Sequence, residues 1–112
     1  MPVTIVSTPL RICIKLSGEI DHHNAAALRL EADDAIRARL APNVRLDFGG
    51  VTFMDSSGIG FVLGRYALVS SYGGNVEVTN LSLRNHKMMR LAGLEKLVKL
   101  RIKEVTEDEA VK

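Results

Sequence analysis

The sequence predicts one α/β domain over residues 1–112, with helices packed on one face of a sheet. Its length fits a single domain, and 46% apolar with 25% charged residues is ordinary for a globular protein. Stretches that alternate apolar and polar side chains are separated by stretches with helical spacing. Because alternating strands are apolar on one face only, the helices should gather on that face and form two layers.

The first elements are predicted to be a hairpin and a helix. An apolar run at residues 3–6 and an alternating run at residues 11–17 are separated by Ser-Thr-Pro, which is typical of a turn. Gly18 is expected to end the hairpin. Apolar residues then keep helical spacing from about Asn24 to about Leu40, just before a proline that stops the helix.

The rest of the chain is predicted to alternate strands with helices. In a short helix that begins after Ser82, Met88 and Leu91 are expected to face the core, and Gly93 suits the left-handed residue that often follows a helix. The other predicted elements are a strand at residues 44–48, a helix from about Ser56 to about Ser71, a strand at 76–78 and a strand at 98–102.

The junction at residues 51–66 is the most informative part of the sequence. Asp55, Ser56 and Ser57 can each cap a helix, because their side-chain oxygens accept hydrogen bonds from the unpaired amides of the first turn. Two hydroxyl groups therefore lie at the start of this helix. The residues with the spacing of a core-facing stripe are Ile59, Val62, Leu63 and Tyr66.

Three glycines in this helix need an explanation, because glycine costs about 1 kcal/mol relative to alanine inside a helix. They are Gly58, Gly60 and Gly64. One explanation is close packing against the sheet or a neighbouring helix of the same chain. The other is that bare backbone lets a second protein approach. The spacing alone leaves both explanations open.

Catalysis and cofactor binding are not indicated. The residues around Ser56 lack the G-x-S-x-G spacing of a hydrolase nucleophile, although Asp21, His22 and His23 could suggest one. The histidines and scattered carboxylates show no metal-ligand spacing. The glycines do not match the dinucleotide or P-loop fingerprints. A small serine hydrolase and a nucleotide-binding module stay as alternatives of another class, and neither a metal nor a cofactor is expected.

The charge and hydropathy patterns also exclude several partners. A net charge of +2 without aromatic residues among the basic ones does not suggest a nucleic-acid surface. No apolar run is long enough to span a bilayer, and the N-terminus does not resemble a signal peptide. We therefore expect a cytoplasmic protein that binds neither nucleic acid nor membrane.

The exposed hydroxyls suit a substrate of a kinase better than a catalyst. A phosphate adds about −1.5 to −2 charges, and the amides and dipole of a helix N-terminus tolerate an anion. With Asp55 adjacent and Asp21 near, a partner covering this point would bury a negative cluster that nothing neutralises. Phosphorylation should therefore weaken binding without unfolding the domain. These arguments do not choose between Ser56 and Ser57.

Residues 53–66, Phe-Met-Asp-Ser-Ser-Gly-Ile-Gly-Phe-Val-Leu-Gly-Arg-Tyr, resemble the signature of the STAS domain in the form carried by bacterial anti-sigma factor antagonists. Residues 18–25, Gly-Glu-Ile-Asp-His-His-Asn-Ala, are similar to a second motif of the sporulation-type antagonists. Ala-Gly-Leu at residues 92–94 is similar to the Ser-Gly-Leu that follows the third helix of the family. The resemblance implies the STAS fold, a mixed sheet of four to five strands with about four helices mainly on one face.

The resemblance also implies a function. The unphosphorylated protein would bind the cognate anti-sigma factor, a serine kinase with bound ADP or ATP, and so release a sporulation sigma factor. That kinase would phosphorylate the antagonist, and a PP2C-type serine phosphatase would reverse the reaction. By position, the phosphoacceptor is Ser56. The protein itself would not be an enzyme and would be a monomer when free.

The resemblance further implies a partner-binding surface beside the phosphoacceptor. The loop that carries Asp21 and His22 matches the family motif next to the acceptor. The expected partner-binding residues are Asp21, His22, Asp55, Ser57, Gly58, Gly60, Phe61 and Gly64. Within the family, the alternative is a STAS subunit of a stress-response or lipid-transport complex that is never phosphorylated.

Overall fold

Five strands form one sheet in chain order, and the first runs antiparallel to the second while the others are parallel. The computed structural model describes residues 3–104. The elements in order are β1 (Val3–Ser7), β2 (Arg11–Ile20), α1 (Ala25–Arg39), β3 (Asn43–Met54), α2 (Ser56–Ser70), β4 (Asn75–Leu81), α3 (Leu83–Leu91), a 3-10 turn (Leu94–Lys96) and β5 (Lys99–Ile102).

The topology explains why the helices share one face. Each crossover from β2 to β5 moves one strand in the same direction, and right-handed crossovers of this kind put every helix on the same side. Buried side chains alternate along the strands accordingly, with Ile12 and Ile14 in β2 and Leu46 in β3 fully buried. Arg45 and Glu77 point to the other face, where they form an ion pair. The predicted two-layer mixed sheet is confirmed, although residues 3–104 hold three α-helices and a 3-10 turn instead of about four helices.

The predicted helix boundaries agree closely with the structure. Helix α1 ends where Leu40 adopts a left-handed conformation with φ 48° and its amide donates to the Ile36 carbonyl at 2.8 Å. Helix α2 begins at Ser56 and ends one residue before the predicted Ser71. Ser82 caps α3, since its hydroxyl accepts a hydrogen bond from the Asn85 amide at 3.1 Å.

The prediction that Gly18 ends strand β2 was wrong. Gly18 has φ +81° and lies in an irregularity of the pairing with β3, so the strand passes through a bulge and continues to Ile20. Strand β3 is correspondingly longer and ends at Met54. The two strands therefore end side by side, and the Asp55 amide donates to the Ile20 carbonyl at 3.2 Å.

The face of α2 that enters the core differs from the predicted stripe. Phe61, Arg65 and Val69, spaced four residues apart, are buried together with Val62, whereas Leu63 is 39% exposed. The prediction was wrong at Leu63 because α2 is apolar on nearly every side, so the sequence pattern did not identify one buried face.

The predicted core face of α3 was also partly wrong. Met89 is fully buried and Asn85 nearly so, and Met88 packs against the core from its edge. Leu91 is 72% exposed. Because α3 has only nine residues, a rotation of one position changes which of its few apolar side chains are buried.

A buried ion pair joins α1 to α2. The Arg65 Nε atom lies 2.7 Å from Asp33 Oδ1, and the guanidinium also lies 5.2 Å from the centre of the Phe61 ring. Burial lowers the pKa of Arg65, and the Asp33 carboxylate opposes that shift. The pair holds together the two helices whose N-terminal ends carry the candidate site.

Candidate functional site

The candidate site lies at the carboxyl edge of the parallel strands. Strands β2, β3 and β4 are neighbours in the sheet and end at Ile20, Met54 and Leu81. The loops that follow them therefore meet at one edge, which is where open α/β sheets commonly bind ligands. These loops carry Asp21 and Asp55, which the sequence analysis had selected.

Asp55 forms the N-cap of α2. Its extended backbone lets Oδ1 accept a hydrogen bond from the Ser57 amide at 2.8 Å, and its carbonyl accepts one from the Gly58 amide at 3.0 Å. The hydrogen bond from the Ser57 amide holds the pKa of the Asp55 carboxyl below its usual value, and His22 acts in the same direction. Asp55 is therefore both a cap and a fixed negative charge.

Ser56 is the first residue of α2, and its side chain is exposed. Within residues 3–104, no protein group forms a hydrogen bond to its hydroxyl. Ser57 is half-buried and its amide is occupied by Asp55. The more accessible of the two candidate hydroxyls is that of Ser56.

The loop after β2 is held beside Asp55 by its own hydrogen bonds. Asp21 Oδ1 accepts from the amides of His23 at 2.9 Å and Asn24 at 3.1 Å, and Asn24 Oδ1 accepts from the Asp21 amide at 3.0 Å. The His22 ring is 74% exposed, with Nδ1 3.9 Å from Asp55 Oδ2. The structure thus brings together the two motifs that the sequence separates by about thirty residues.

The glycines of α2 divide between the two explanations. A Cβ atom on Gly58 would lie 2.3 Å from both Cγ and Sδ of Met54, so Gly58 permits close packing against β3. A Cβ on Gly60 or Gly64 would meet no atom of residues 3–104 within 4 Å, apart from the adjoining backbone of α2 itself. Close packing within the described residues therefore does not explain Gly60 and Gly64, and the interface explanation stays a prediction for them.

Phe61 corrects one of the expected partner-binding residues. Its side chain is fully buried, so it cannot contact a partner in this conformation. The Arg65 guanidinium lies over its ring, and the two side chains form part of the packing between α2 and the rest of the domain. Phe61 supports the candidate surface from below and is not part of it.

Arg84 belongs to the site but was missed by the sequence analysis. Its Nη1 atom donates to the Met54 carbonyl and to Asn85 Oδ1, both at 3.3 Å, and its guanidinium carbon lies 6.0 Å from the centre of the Phe53 ring. The sequence did contain a signal for this position. Arg84 follows the end of β4 by three residues, and the ends of neighbouring parallel strands share one edge.

The geometry around Ser56 also bears on the hydrolase, metal-site and phosphate-cradle alternatives. His22 faces the Asp55 carboxylate, and among residues 3–104 no base forms a hydrogen bond to the Ser56 hydroxyl. The part of the chain from residue 3 to 104 holds no group of three metal-ligating side chains. A cavity of about 480 Å³ opens near the first residues of β3, β4 and β5, at the opposite edge of the sheet. None of the three helices described is long and apolar enough to cross a bilayer.

Comparison with known proteins agrees with this geometry. Residues 3–100 match the family model described as "Mlab, STAS domain". An anti-sigma F factor antagonist from Paenibacillus polymyxa is 37% identical over 94 residues, which cover 84% of this chain and 80% of that protein.

Solved structures support the same relationship. The unphosphorylated form of the anti-sigma factor antagonist SpoIIAA superposes with a TM-score of 0.75 at 30% identity, over 97% of this chain and 92% of that one. The phosphorylated form of SpoIIAA, described as a Bacillus cell fate determinant, gives a TM-score of 0.69 at 30% identity over 97% and 96%. The chain belongs to the STAS domain family, and these relatives are anti-sigma factor antagonists.

Proposed function

We propose that this protein is an anti-sigma factor antagonist controlled by phosphorylation of Ser56. In this proposal, the unphosphorylated form binds a cognate anti-sigma factor, a serine kinase with bound ADP or ATP, and so releases a sporulation sigma factor. The kinase transfers phosphate to Ser56 and thereby ends binding, and a PP2C-type phosphatase restores the active form. The exchange takes place in the cytoplasm, and the antagonist catalyses no reaction itself.

The state of the Ser56 hydroxyl carries this proposal. It is exposed, lies at the first position of a helix and forms no hydrogen bond to a base in the part of the chain that the structure describes. Such a hydroxyl is accessible to the active site of another protein but cannot act as a nucleophile by itself. The similarity to anti-sigma F factor antagonists, and to a protein solved in unphosphorylated and phosphorylated forms, supports the same reading.

The proposed switch acts on charge at the surface. Asp55 is ionised at neutral pH, since its pKa is lowered, and Asp21 lies in the adjacent loop. A phosphate on Ser56 adds about −1.5 to −2 charges to these two. A partner that covers the site must then remove several negative charges from water, which is strongly unfavourable unless it supplies cations. The fold is unaffected because the first turn of a helix favours an anion.

The sequence analysis gives eight expected partner-binding residues, and we assign the surface to the six of them that are exposed or half-buried. Gly60 and Gly64 leave the backbone of α2 open to close approach. Gly58 and Phe61 are buried and hold α2 in place beneath that surface. The surface residues are Asp21, His22, Asp55, Ser57, Gly60 and Gly64.

Intact-mass measurement after incubation with the cognate kinase and ATP tests the proposal. We expect the wild-type protein and Ser57→Ala to gain one phosphoryl group, and Ser56→Ala to gain none. A PP2C-type phosphatase should then remove it. A wild-type protein that binds the kinase but gains no phosphate would instead favour the STAS subunit that is never phosphorylated. Phosphate that persists in Ser56→Ala would move the acceptor to another residue.

A further inference from the structure

Arg84 is an exposed cation at the negative edge of the site, and the proposed function leaves it without a role. It is the second residue of α3, and its Nη1 donates to the Met54 carbonyl at the end of β3. Met54 directly precedes the capping Asp55, which in turn precedes Ser56. Successive Cα atoms are about 3.8 Å apart, so the Cα of Ser56 lies within about 8 Å of the Cα of Met54, the residue whose carbonyl oxygen accepts the hydrogen bond from Arg84.

The guanidinium retains donors for an additional acceptor. Nη1 makes its two hydrogen bonds at 3.3 Å, which is long for a donor of this type. Nε and Nη2 carry three further N–H groups, and within residues 3–104 none of them donates to a protein acceptor or to a carboxylate. A planar fork of free N–H groups matches the geometry of a phosphate better than that of any neutral group here.

The surroundings of Ser56 make Arg84 the strongest available cation. The other charged or titratable groups of the adjoining loops are Asp21, His22, His23 and Asp55. The two carboxylates repel a phosphate, and the His22 ring is already near Asp55 Oδ2, at 3.9 Å. Arginine is charged at every physiological pH, so Arg84 offers a phosphate a permanent positive charge with several N–H donors.

We propose that Arg84 binds the phosphate of phosphorylated Ser56 within the same chain. This inference rests on the proposed phosphorylation of Ser56 and concerns what the modification does to the site. In the unmodified protein, the free N–H groups of Arg84 are available to an acidic group of the partner. In the phosphorylated protein, the same groups face the phosphate. The modification therefore adds negative charge and also withdraws a cation from the binding surface.

The acid–base behaviour of the phosphate provides a direct test. Phosphoserine is placed at position 56 during synthesis by an expanded genetic code, so the sample does not depend on any kinase. Phosphorus NMR then follows the second ionisation of the phosphate, whose pKa is ordinarily about 6. A nearby guanidinium favours the dianion, so we expect Arg84→Gln to raise this pKa by about 0.3 to 0.5 unit, as for an exposed ion pair. Arg90→Gln, which makes the same charge change at the other end of α3, should leave it within about 0.1 unit, because exposed charges further away are screened.

The outcomes separate this inference from the proposed function. A higher phosphate pKa in Arg84→Gln, together with an unchanged phosphate pKa in Arg90→Gln, supports binding of the phosphate by Arg84. Equal shifts in both variants, or no shift in either, would overturn it. Far-UV circular dichroism of both variants verifies that the fold is retained. If the kinase fails to phosphorylate Ser56, the proposed function fails, yet the NMR result still decides whether Arg84 binds a phosphate at that position.

Discussion

Substituting alanine for Gly58 tests the packing of α2 against β3. The new Cβ would lie 2.3 Å from Cγ and Sδ of Met54, whereas carbon atoms in contact lie about 3.5–4.0 Å apart. Met54 is fully buried, so it cannot swing into solvent and must move by more than 1 Å within a filled core, as estimated from that ordinary contact distance. Overpacking of this kind costs about 1–3 kcal/mol.

A second substitution in the same helix isolates this effect. Exchanging glycine for alanine in a helix favours folding by up to about 1 kcal/mol, which partly offsets the overpacking in Gly58→Ala. Gly64→Ala gains the same term without a clash among the described residues, because a Cβ at this position would meet none of their atoms within 4 Å apart from the adjoining helix backbone. We expect urea unfolding to show Gly64→Ala about 1–3 kcal/mol more stable than Gly58→Ala, and their thermal midpoints to differ by at least about 4 °C. Equal stability of the two variants would refute the assignment of Gly58 to close packing.

Three further predictions follow from the ion pair, the helix cap and the phosphoacceptor. Asp33→Ala should lower the free energy of unfolding by about 3 kcal/mol, because it leaves Arg65 buried without a partner. In urea unfolding, adding Arg65→Met to this variant should recover more than half of the lost stability. A double variant whose loss of stability equals the sum of the losses in the two single variants would contradict this. The pKa of the Asp55 carboxyl is lowered by folding, so its stabilisation is complete above the ordinary value of 3.8 and is lost as the pH falls through the lower folded value. Asp55→Asn keeps a cap that does not titrate, and its stability should therefore decline less than that of the wild type between about pH 5 and pH 2; parallel declines would argue against the shifted pKa. Ser56→Asp should keep the circular dichroism and thermal midpoint of the wild type, because a helix N-terminus favours an anion, and a lost folded signal would mean that charge here acts on stability.

The elements that could be predicted from sequence are those with local signals. Asn24 and Leu40 border α1 as expected, since the alanine-rich stretch has helical spacing and a proline follows it. The N-cap at Asp55 was also predictable, because short polar residues before an apolar stretch mark a helix start. These signals depend on a few neighbouring residues and require no knowledge of the tertiary structure.

Features that depend on tertiary contacts could not be read in this way. Gly18 looked like the end of a strand, but pairing with β3 carries β2 through a bulge to Ile20. The burial of Arg65 depends on its ion pair with Asp33 on a different helix, and no local pattern in the sequence indicates that contact. Leu63 and Phe61 are equally apolar, so their exposure depends on which face of α2 meets the sheet.

In the candidate site, too, the residues with local sequence signals were predictable and those that depend on tertiary contacts were not. The motifs around Asp21 and Asp55 were recognised in the sequence, and the structure brings His22 within 3.9 Å of Asp55. Arg84 was missed because its relation to Met54 spans thirty residues and depends on the order of β3 and β4 in the sheet. Knowledge of that strand order would have been enough to place it at this edge.

The affinity of the anti-sigma factor for the two forms of this protein tests the central claim most directly. Isothermal titration calorimetry would compare the unmodified chain with the chain carrying phosphoserine at position 56, both titrated into the cognate anti-sigma factor with bound ADP. We expect phosphorylation to weaken binding by a factor of about 10 to 100 or more, within or above the usual range for coupling between a modification and a ligand. Equal affinities of two folded forms would contradict a switch at Ser56.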